Sequence, residues 1–415
     1  MNDSSLRNET PLPQSPRLQA GTPEFRRAVR AFFCGGFATF STLYGMQPLL
    51  PLFSAEFQLP PAAASGVISA STAMLALMLI PAALLSDHIG RKSLMCAALG
   101  LAVLCSFACI VAGNYPQLLI LRALVGFFLA GLPSIAMTYI GEETDPQSLA
   151  RTMGIYIAGN ALGGMSGRFI AGVVADHFGW RWAVAVLALI GLFMAIEFWR
   201  SLPPSRHFRK SRHSSQTLLP LLLRDAWTHA SDKGMRWLFA SGFLLAGCFV
   251  SLYNYLGYHL LEDPFHLSHS LVGAIFLLYL VGVVASTLAG RLAGRLGRHN
   301  VLLGMAAIMG AGLILTVFSS LVFVIPGVGL FTFGFFGAHA IASGWVSHRP
   351  VRARALASAL YLCSYYLGAS LIGSFSGLMW AANGWYGVAA TLGLLLLVCF
   401  VLAWRLRGFS LREKA

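Results

Sequence analysis

Residues 86–91 read Ser86-Asp87-His88-Ile89-Gly90-Arg91, and residues 293–298 read Ala293-Gly294-Arg295-Leu296-Gly297-Arg298. Both strings are short, rich in polar residues and glycine, and end in Gly-Arg. Each lies between two long apolar runs. An α-helix needs about 20 mostly apolar residues to cross a bilayer, so each string reads as a tight turn between two membrane spans. The same turn occurring twice points to a duplicated helical unit.

Further echoes at nearly the same separation support the duplication. Tyr156, Gly163, Gly172, Gly179 and Trp180 recur as Tyr361, Gly368, Gly377, Gly384 and Trp385. Gly126-Phe127-Phe128 recurs as Gly334-Phe335-Phe336. Working outward from the two turns, spans are predicted over 29–51, 62–85, 93–113, 117–140, 151–174, 181–199, 237–260, 269–290, 300–318, 321–345, 355–380 and 385–405. Only the Ser319-Ser320 corner separates the ninth from the tenth. The predicted fold is an all-α membrane protein of 12 transmembrane helices in two six-helix, repeat-related halves. The expected divisions are a disordered tail over 1–27, an N-terminal half over 28–200, a linker over 201–236, a C-terminal half over 237–405 and a short tail over 406–415.

Composition agrees with that reading. Of 415 residues, 57% are hydrophobic and 11% charged, against roughly 25% charged in a soluble domain. Mean hydropathy is +0.71. The net charge of +14 would suggest nucleic acid in a soluble protein, but the positions of the charges exclude that partner. With both termini inside, every Lys and Arg except Arg122, Arg168 and Arg181 falls in a cytoplasmic segment. The outer loop after the seventh span carries Glu262 and Asp263 and no basic residue. That asymmetry is the positive-inside rule, and it places the tails and the linker in the cytoplasm. The seven cysteines lie in apolar runs without a C-x-x-C pair, as small apolar residues would. With no H-E-x-x-H and no nucleophile–base cluster at helical spacing, neither an enzyme nor a metal site is expected.

Three motifs resemble those of the major facilitator superfamily. Ala83-Leu-Leu-Ser-Asp87-His-Ile-Gly90-Arg91-Lys92 is similar to the family's G-x-x-x-D-R-x-G-R-K loop, with Ala83 for the leading glycine and His88 for the first arginine. Leu119-Ile-Leu-Arg122-Ala-Leu-Val-Gly126 resembles the arginine motif of the fourth span. Gly159-Asn160-Ala-Leu-Gly163-Gly164 resembles the antiporter-associated G-P-x-x-G-G, with Asn160 in place of the proline. The resemblance runs from about Arg26 to Arg407 and is nearest to the bacterial drug, sugar and metabolite efflux branch. It implies a monomeric exporter of small organic solutes in the bacterial inner membrane, working by alternating access between two facing halves. Coupling would be antiport against the proton gradient, with no other cofactor.

The same residues have physical readings of their own. Asp87, Gly90 and Arg91 together with Glu142 and Glu143 form a candidate conformational latch, because Asp87 gains nothing from the positive-inside rule. The second copy has Gly294 at the matching place. Gly159, Gly163 and Gly167 form one stripe of the fifth span, suited to close helix packing. Asn160, Gly164 and Arg168 form the next stripe, which should face a cavity. Arg122 and Arg168 lie within spans, where charges are functional hypotheses by default. Tyr44, Gln47, Asn254, Tyr258, His339 and Tyr365 are expected to complete a polar, aromatic substrate wall with Asn160 and the two arginines.

No Asp or Glu lies at mid-membrane: Glu56, Glu142, Glu143, Asp176, Glu197 and Glu262 all sit at or near span ends. Buried arginines without buried acids favour neutral or anionic solutes over organic cations. A proton site would then be His339, Glu197, Asp176 or a carboxylate near the outer mouth. The alternatives are an importer or facilitator of a small metabolite, and a non-transporting membrane sensor. A sensor needs an appended soluble domain, and no segment of this sequence is long enough for one.

Overall fold

The computed structural model describes residues 17–207, 215–349 and 353–410. Nine helices among the described residues are long and apolar enough to cross a bilayer. One of these, Arg354–Arg405, is two rods, because Asn383 and Gly384 leave helical geometry between its limbs. Two more rods, 23–57 and Leu149–Phe178, are less apolar because they carry glycines and small polar residues. The described residues therefore form twelve spans. Spans 1 to 6 are 23–57, Pro61–Ile89, Arg91–Ile110, Tyr115–Glu143, Leu149–Phe178 and Trp180–Ser201. Spans 7 to 10 are Lys233–Leu261, His269–Leu296, Arg298–Leu315 and Leu321–His348, and the limbs of Arg354–Arg405 are spans 11 and 12.

Alternation of direction puts the start of span 1, the end of span 12, the Ser215–Ser231 helix and the two Gly-Arg turns on one face, here the basic face. Gly90 (φ 106°, ψ 144°) and Gly297 (φ 86°, ψ 146°) end spans 2 and 8 in the same left-sided conformation, which a Cβ would strain. The duplication is thus present in the backbone as well as in the letters. It recurs in packing. A Cβ on Gly163 would collide with the Phe37 carbonyl of span 1, and one on Gly368 with the Phe243 carbonyl of span 7. Lipid is as apolar as leucine, so close approach at small residues holds such helices together. Span 7 sits at the centre with 72% of its apolar window buried, against 33% for peripheral span 6.

The N-terminal tail departs from the disorder expected up to residue 27. Residues 1–16 lie outside the described residues. Leu18 pairs with the end of span 4, donating to the Glu143 carbonyl (2.8 Å) and accepting from Asp145 N (3.1 Å). Helix begins at Pro23, with the Thr22 side chain accepting from Phe25 N. An N-cap Thr, Pro at the first position and an acidic second position are a strong start signal. Apolar counting missed it because Arg26, Arg27 and Arg30 dilute the first turns. The linker contains a helix. Residues 208–214 lie outside the described residues, Ser215–Ser231 is a helix, and span 7 starts at Lys233 under an Asp232 cap. Arg407–Ser410 forms a final helical turn, and 411–415 lie outside the described residues.

The two halves meet on the face opposite the basic one. Ser54 of span 1 and Tyr258 of span 7 share a hydrogen bond of 2.7 Å. Ser270 of span 8 donates through N and Oγ to Asp176 of span 5 (3.3 and 2.7 Å). A Cβ on Gly172 would come within 2.8 Å of Gly273 Cα across the same pair of spans. Spans 2 and 11 join where Ser69 and Ser370 exchange side chain-to-carbonyl bonds (3.0 and 2.9 Å) and Ser374 donates to Ser69 Oγ (2.8 Å). On the basic face the ion pairs Arg30–Glu197, Arg91–Glu142 and Arg349–Asp232 each stay on one side of the division. Among the described residues, the seal between the halves is therefore at the opposite face.

Candidate functional site

Span 1 breaks at Gly45-Met46, where α-helix gives way to a 3-10 turn over Gln47–Leu49. The break leaves the last carbonyls of the first segment without intrahelical donors. Arg122 of span 4, fully buried, takes them up. Its Nη1 donates to Thr42 O (3.0 Å), Nη2 to Leu43 O (2.6 Å) and Nε to Val67 O of span 2 (3.1 Å). Every acceptor is a backbone carbonyl of the first half. Arg122 therefore does not join the expected substrate wall; it caps a broken helix and ties spans 1, 2 and 4 together.

Gln47 starts the 3-10 turn, and its side chain faces the centre. Its Oε1 accepts from Arg168 Nε (2.7 Å), while Nε2 donates to Asn254 Oδ1 (2.7 Å) and Val250 O (3.2 Å) of span 7. A continuous polar line thus runs from span 5 through span 1 to the other half. Arg168 Nη1 also donates to Gly164 O (2.6 Å). Its guanidinium carbon lies 4.6 Å from the Tyr44 ring, 5.3 Å from Phe276 and 4.9 Å from Tyr279. The Tyr44 hydroxyl and Asn254 Nδ2 are buried without a hydrogen-bond partner among the described residues. Tyr44, Gln47, Arg168 and Asn254 are therefore brought together as expected.

The glycine stripe explains why Arg168 points inward. Gly159, Gly163 and Gly167 press on the span 1 backbone at Phe33, Phe37 and Ser41, leaving the neighbouring stripe turned to the centre. Gly164 lies beside the Arg168 Nη1 group. Asn160 departs from the expectation: it packs against Gly36 of span 1, towards the basic end of the stripe.

A second group lies in the C-terminal half. His339 Nδ1 and the Tyr361 hydroxyl are 3.0 Å apart, and the His339 ring lies 4.8 Å from Tyr365 and 5.9 Å from Phe335. His339 and Tyr365 are half-buried, so they form a wall, with His339 also bonding spans 10 and 11. Tyr258 is elsewhere, in the seal with Ser54 and Trp380. At the basic face a groove of about 400 Å³ between spans 1 and 5 is lined by Phe25, Arg26, Val29, Arg30, Phe33 and Arg151.

The latch residues form a brace inside the first half. Arg91 grips Glu142 of span 4 with Nη2 and Nε (2.9 and 3.3 Å), and donates to Asp87 (2.5 Å) and Ser86. Gly90 supplies the turn that aims it. Glu143 takes a different partner, accepting from the His207 backbone N (2.8 Å) and facing its Nδ1 (2.9 Å). Among the described residues, the ion pairs of the cluster stay within the first half and the start of the linker.

Phe276, Tyr279, Ser69, Ser370 and Ser374 were not anticipated. The serines carry a signal in retrospect, since Ser370 and Ser374 share a face at i, i+4, as small polar residues do at helix–helix contacts. Phe276 and Tyr279 carry none, because they sit in an unbroken apolar run.

Twelve spans in two repeat-related halves, closed over a buried cation on one face, define a polytopic membrane transporter. The chain belongs to the Major Facilitator Superfamily, whose family model matches residues 32–338 and 257–414. It is 45% identical over 389 residues to the inner membrane transport protein YnfM of Escherichia coli (strain K12), covering 94% of this chain and 92% of that protein. It is 40% identical to the uncharacterized MFS-type transporter YybF of Bacillus subtilis (strain 168), over 93% of this chain and 95% of that one. In structure it is similar to a bacterial homolog of the human lysosomal transporter Spinster in an inward-facing, unoccupied conformation. The TM-score is 0.78 at 16% identity, covering 94% of this chain and 98% of that chain. The nucleoside transporter NupG aligns with a TM-score of 0.73 at 15% identity, over 91% and 99% of the two chains. These structures share the fold; the chain and its relatives are transporters, not enzymes.

Proposed function

We propose that this transporter exports small neutral or anionic organic solutes across the bacterial inner membrane. It works as a monomer, by alternating access and in antiport with protons. Both termini and the linker lie in the cytoplasm, and no nucleic acid is involved. The observation that carries the reading is the Arg168–Gln47–Asn254 line, which crosses between the halves beneath a seal confined to one face. With the seal on the outer side, solute loads from the cytoplasm, which suits export. The positive-inside pattern supports the orientation, and the resemblance of residues 159–164 to the antiporter motif supports exchange. The Asp87–Arg91–Glu142 cluster, braced within one half in this state, acts as the latch when the halves rock together on the basic face.

Everted membrane vesicles test the reading, since they expose the cytoplasmic face. Uptake of an organic solute into vesicles with an acidified lumen is expected, and a protonophore should abolish it. Uptake indifferent to the gradient would remove proton antiport. Orientation is read separately by cysteine labelling: in intact cells without other cysteines, Ser268→Cys should react with an impermeant maleimide. No reaction there would invert the topology.

A further inference from the structure

Arg168 is a buried cation without a counter-ion. The groups that touch its guanidinium are neutral: the Gln47 amide, the Gly164 carbonyl and the rings of Tyr44, Phe276 and Tyr279. No carboxylate touches it among the described residues. A buried unpaired charge is costly, and in a membrane protein it marks a functional site. The missing partner is an anion.

The unused atoms say what kind. A carboxylate meets a guanidinium best along the Nε–Nη2 edge, with two parallel hydrogen bonds. Here Nε is held by Gln47 Oε1 at 2.7 Å, Nη1 serves Gly164, and Nη2 has no acceptor among the described residues. One neutral amide oxygen thus occupies the edge where a carboxylate would place two charged ones. Two further donors are buried without a partner among the described residues: the hydroxyl of Tyr44, whose ring lies against the guanidinium, on a residue 4% exposed, and Asn254 Nδ2, which faces Gly373, on one 1% exposed. The surrounding aromatic rings suit a flat apolar body behind the carboxylate.

We infer that Gln47 stands in for a substrate carboxylate, and that an aromatic carboxylate displaces it from Arg168 and thereby loosens the joint between the halves. The inference rests on the alternating-access reading above. The same Gln47 amide is the tie to the second half, through Asn254 Oδ1 and Val250 O. Gln47 offers this edge one neutral acceptor, whereas a carboxylate offers two ionised ones in the bidentate geometry that makes the strongest pairs, so the carboxylate wins the Nε edge. Once off the guanidinium, the Gln47 amide no longer sits at the geometry that reaches span 7. Binding and opening are then one event, and an empty transporter stays sealed.

Ser69, buried in the span 2–span 11 seal, reports the opening. In a cysteine-free background, labelling of Ser69→Cys from the opposite face is measured with benzoate, and with benzamide as its neutral isostere. Benzoate should speed labelling by about 5-fold or more, the lower range of a typical coupling energy, and benzamide should not. Gln47→Ala should label without ligand at the benzoate-stimulated rate, and Asn254→Ala, which removes the shorter of the tie's two bonds and leaves the one to Val250 O, should label faster than wild type without ligand. Gln47→Glu supplies its own carboxylate, so benzoate should lose its effect while the fold, checked by circular dichroism, is kept. Equal stimulation by benzamide would overturn the carboxylate class. Resting rates unchanged in both Gln47→Ala and Asn254→Ala would overturn the tie. If Ser69→Cys never labels under any condition while Ser268→Cys does, the halves do not part at this face, and the alternating-access reading fails along with the inference.

Discussion

Replacing Arg122 by lysine keeps the charge but removes the fork that holds three carbonyls. The guanidinium reaches Thr42 O, Leu43 O and Val67 O at 3.0, 2.6 and 3.1 Å. A lysine ammonium is a point donor and can satisfy one of these divergent acceptors well. Within a bilayer a side-chain hydrogen bond is worth about 0.6 to 1.7 kcal/mol, so losing two should cost about 1–3 kcal/mol. Arg122→Met, which takes the guanidinium donor from the Thr42 and Leu43 carbonyls at the span 1 break and from Val67 O of span 2, should cost about 2–5 kcal/mol. The assay is thermal unfolding of purified protein in detergent, paired with benzoate binding to the fraction that stays folded. Stability should fall in the order wild type, Lys, Met, with affinity unchanged. Wild-type stability combined with lost affinity would refute the capping role and return Arg122 to the binding site.

Three further outcomes are expected. Arg168→Lys should weaken benzoate binding by about 10- to 100-fold, one charge-assisted bond's worth, nearly as much as Arg168→Ala; full affinity in the lysine variant would take Arg168 out of the site. Asp87→Asn should greatly slow transport at unchanged membrane abundance, because Arg91 then keeps only Glu142 as a charged partner among the described residues; a normal rate would sink the latch. Burial alone would raise the Asp232 carboxyl, but the Arg349 fork and the Met235 N–H outweigh it and hold it below the ordinary carboxylate range. A depressed folded pKa stabilises above the unfolded pKa and is lost as pH falls through the folded one, so Asp232→Asn should lower thermal stability at pH 7 and converge with wild type on acidification below about pH 4; a gap constant with pH would contradict the pairing.

Features written in local chemistry were legible before any coordinates. Gly90 and Gly297 mark turns because only glycine takes their backbone angles easily, and Gly163 repeats as Gly368 because each lies on a neighbouring backbone. Gln47 and Arg168 stood out as polar groups in apolar runs. Other features depend on contacts that no local pattern carries. Arg122 and Arg168 look alike in sequence, and only the break at Gly45 makes one of them a helix cap. Asn160 shares a stripe with Arg168 yet lies where span 1 comes close, so it packs instead of lining the centre. Asp176 reads as a loop-end acid until Ser270 of the other half is seen beside it. The start of span 1 was misplaced because its cap signal lies in a segment too basic for apolar counting.

A reversible lock across the seal bears most directly on transport by rocking halves. Ser69 and Ser374 hydroxyls are 2.8 Å apart on spans 2 and 11, so Ser69→Cys with Ser374→Cys should form a disulfide between the halves on mild oxidation. Proteoliposomes holding this variant are loaded with a mixture of organic acids under a pH gradient, and the loss of each acid is followed by mass spectrometry. At least one acid should leave faster than from protein-free liposomes when the variant is reduced, and none should do so when it is oxidised. Equal losses in the oxidised and reduced states would contradict alternating access through this seal.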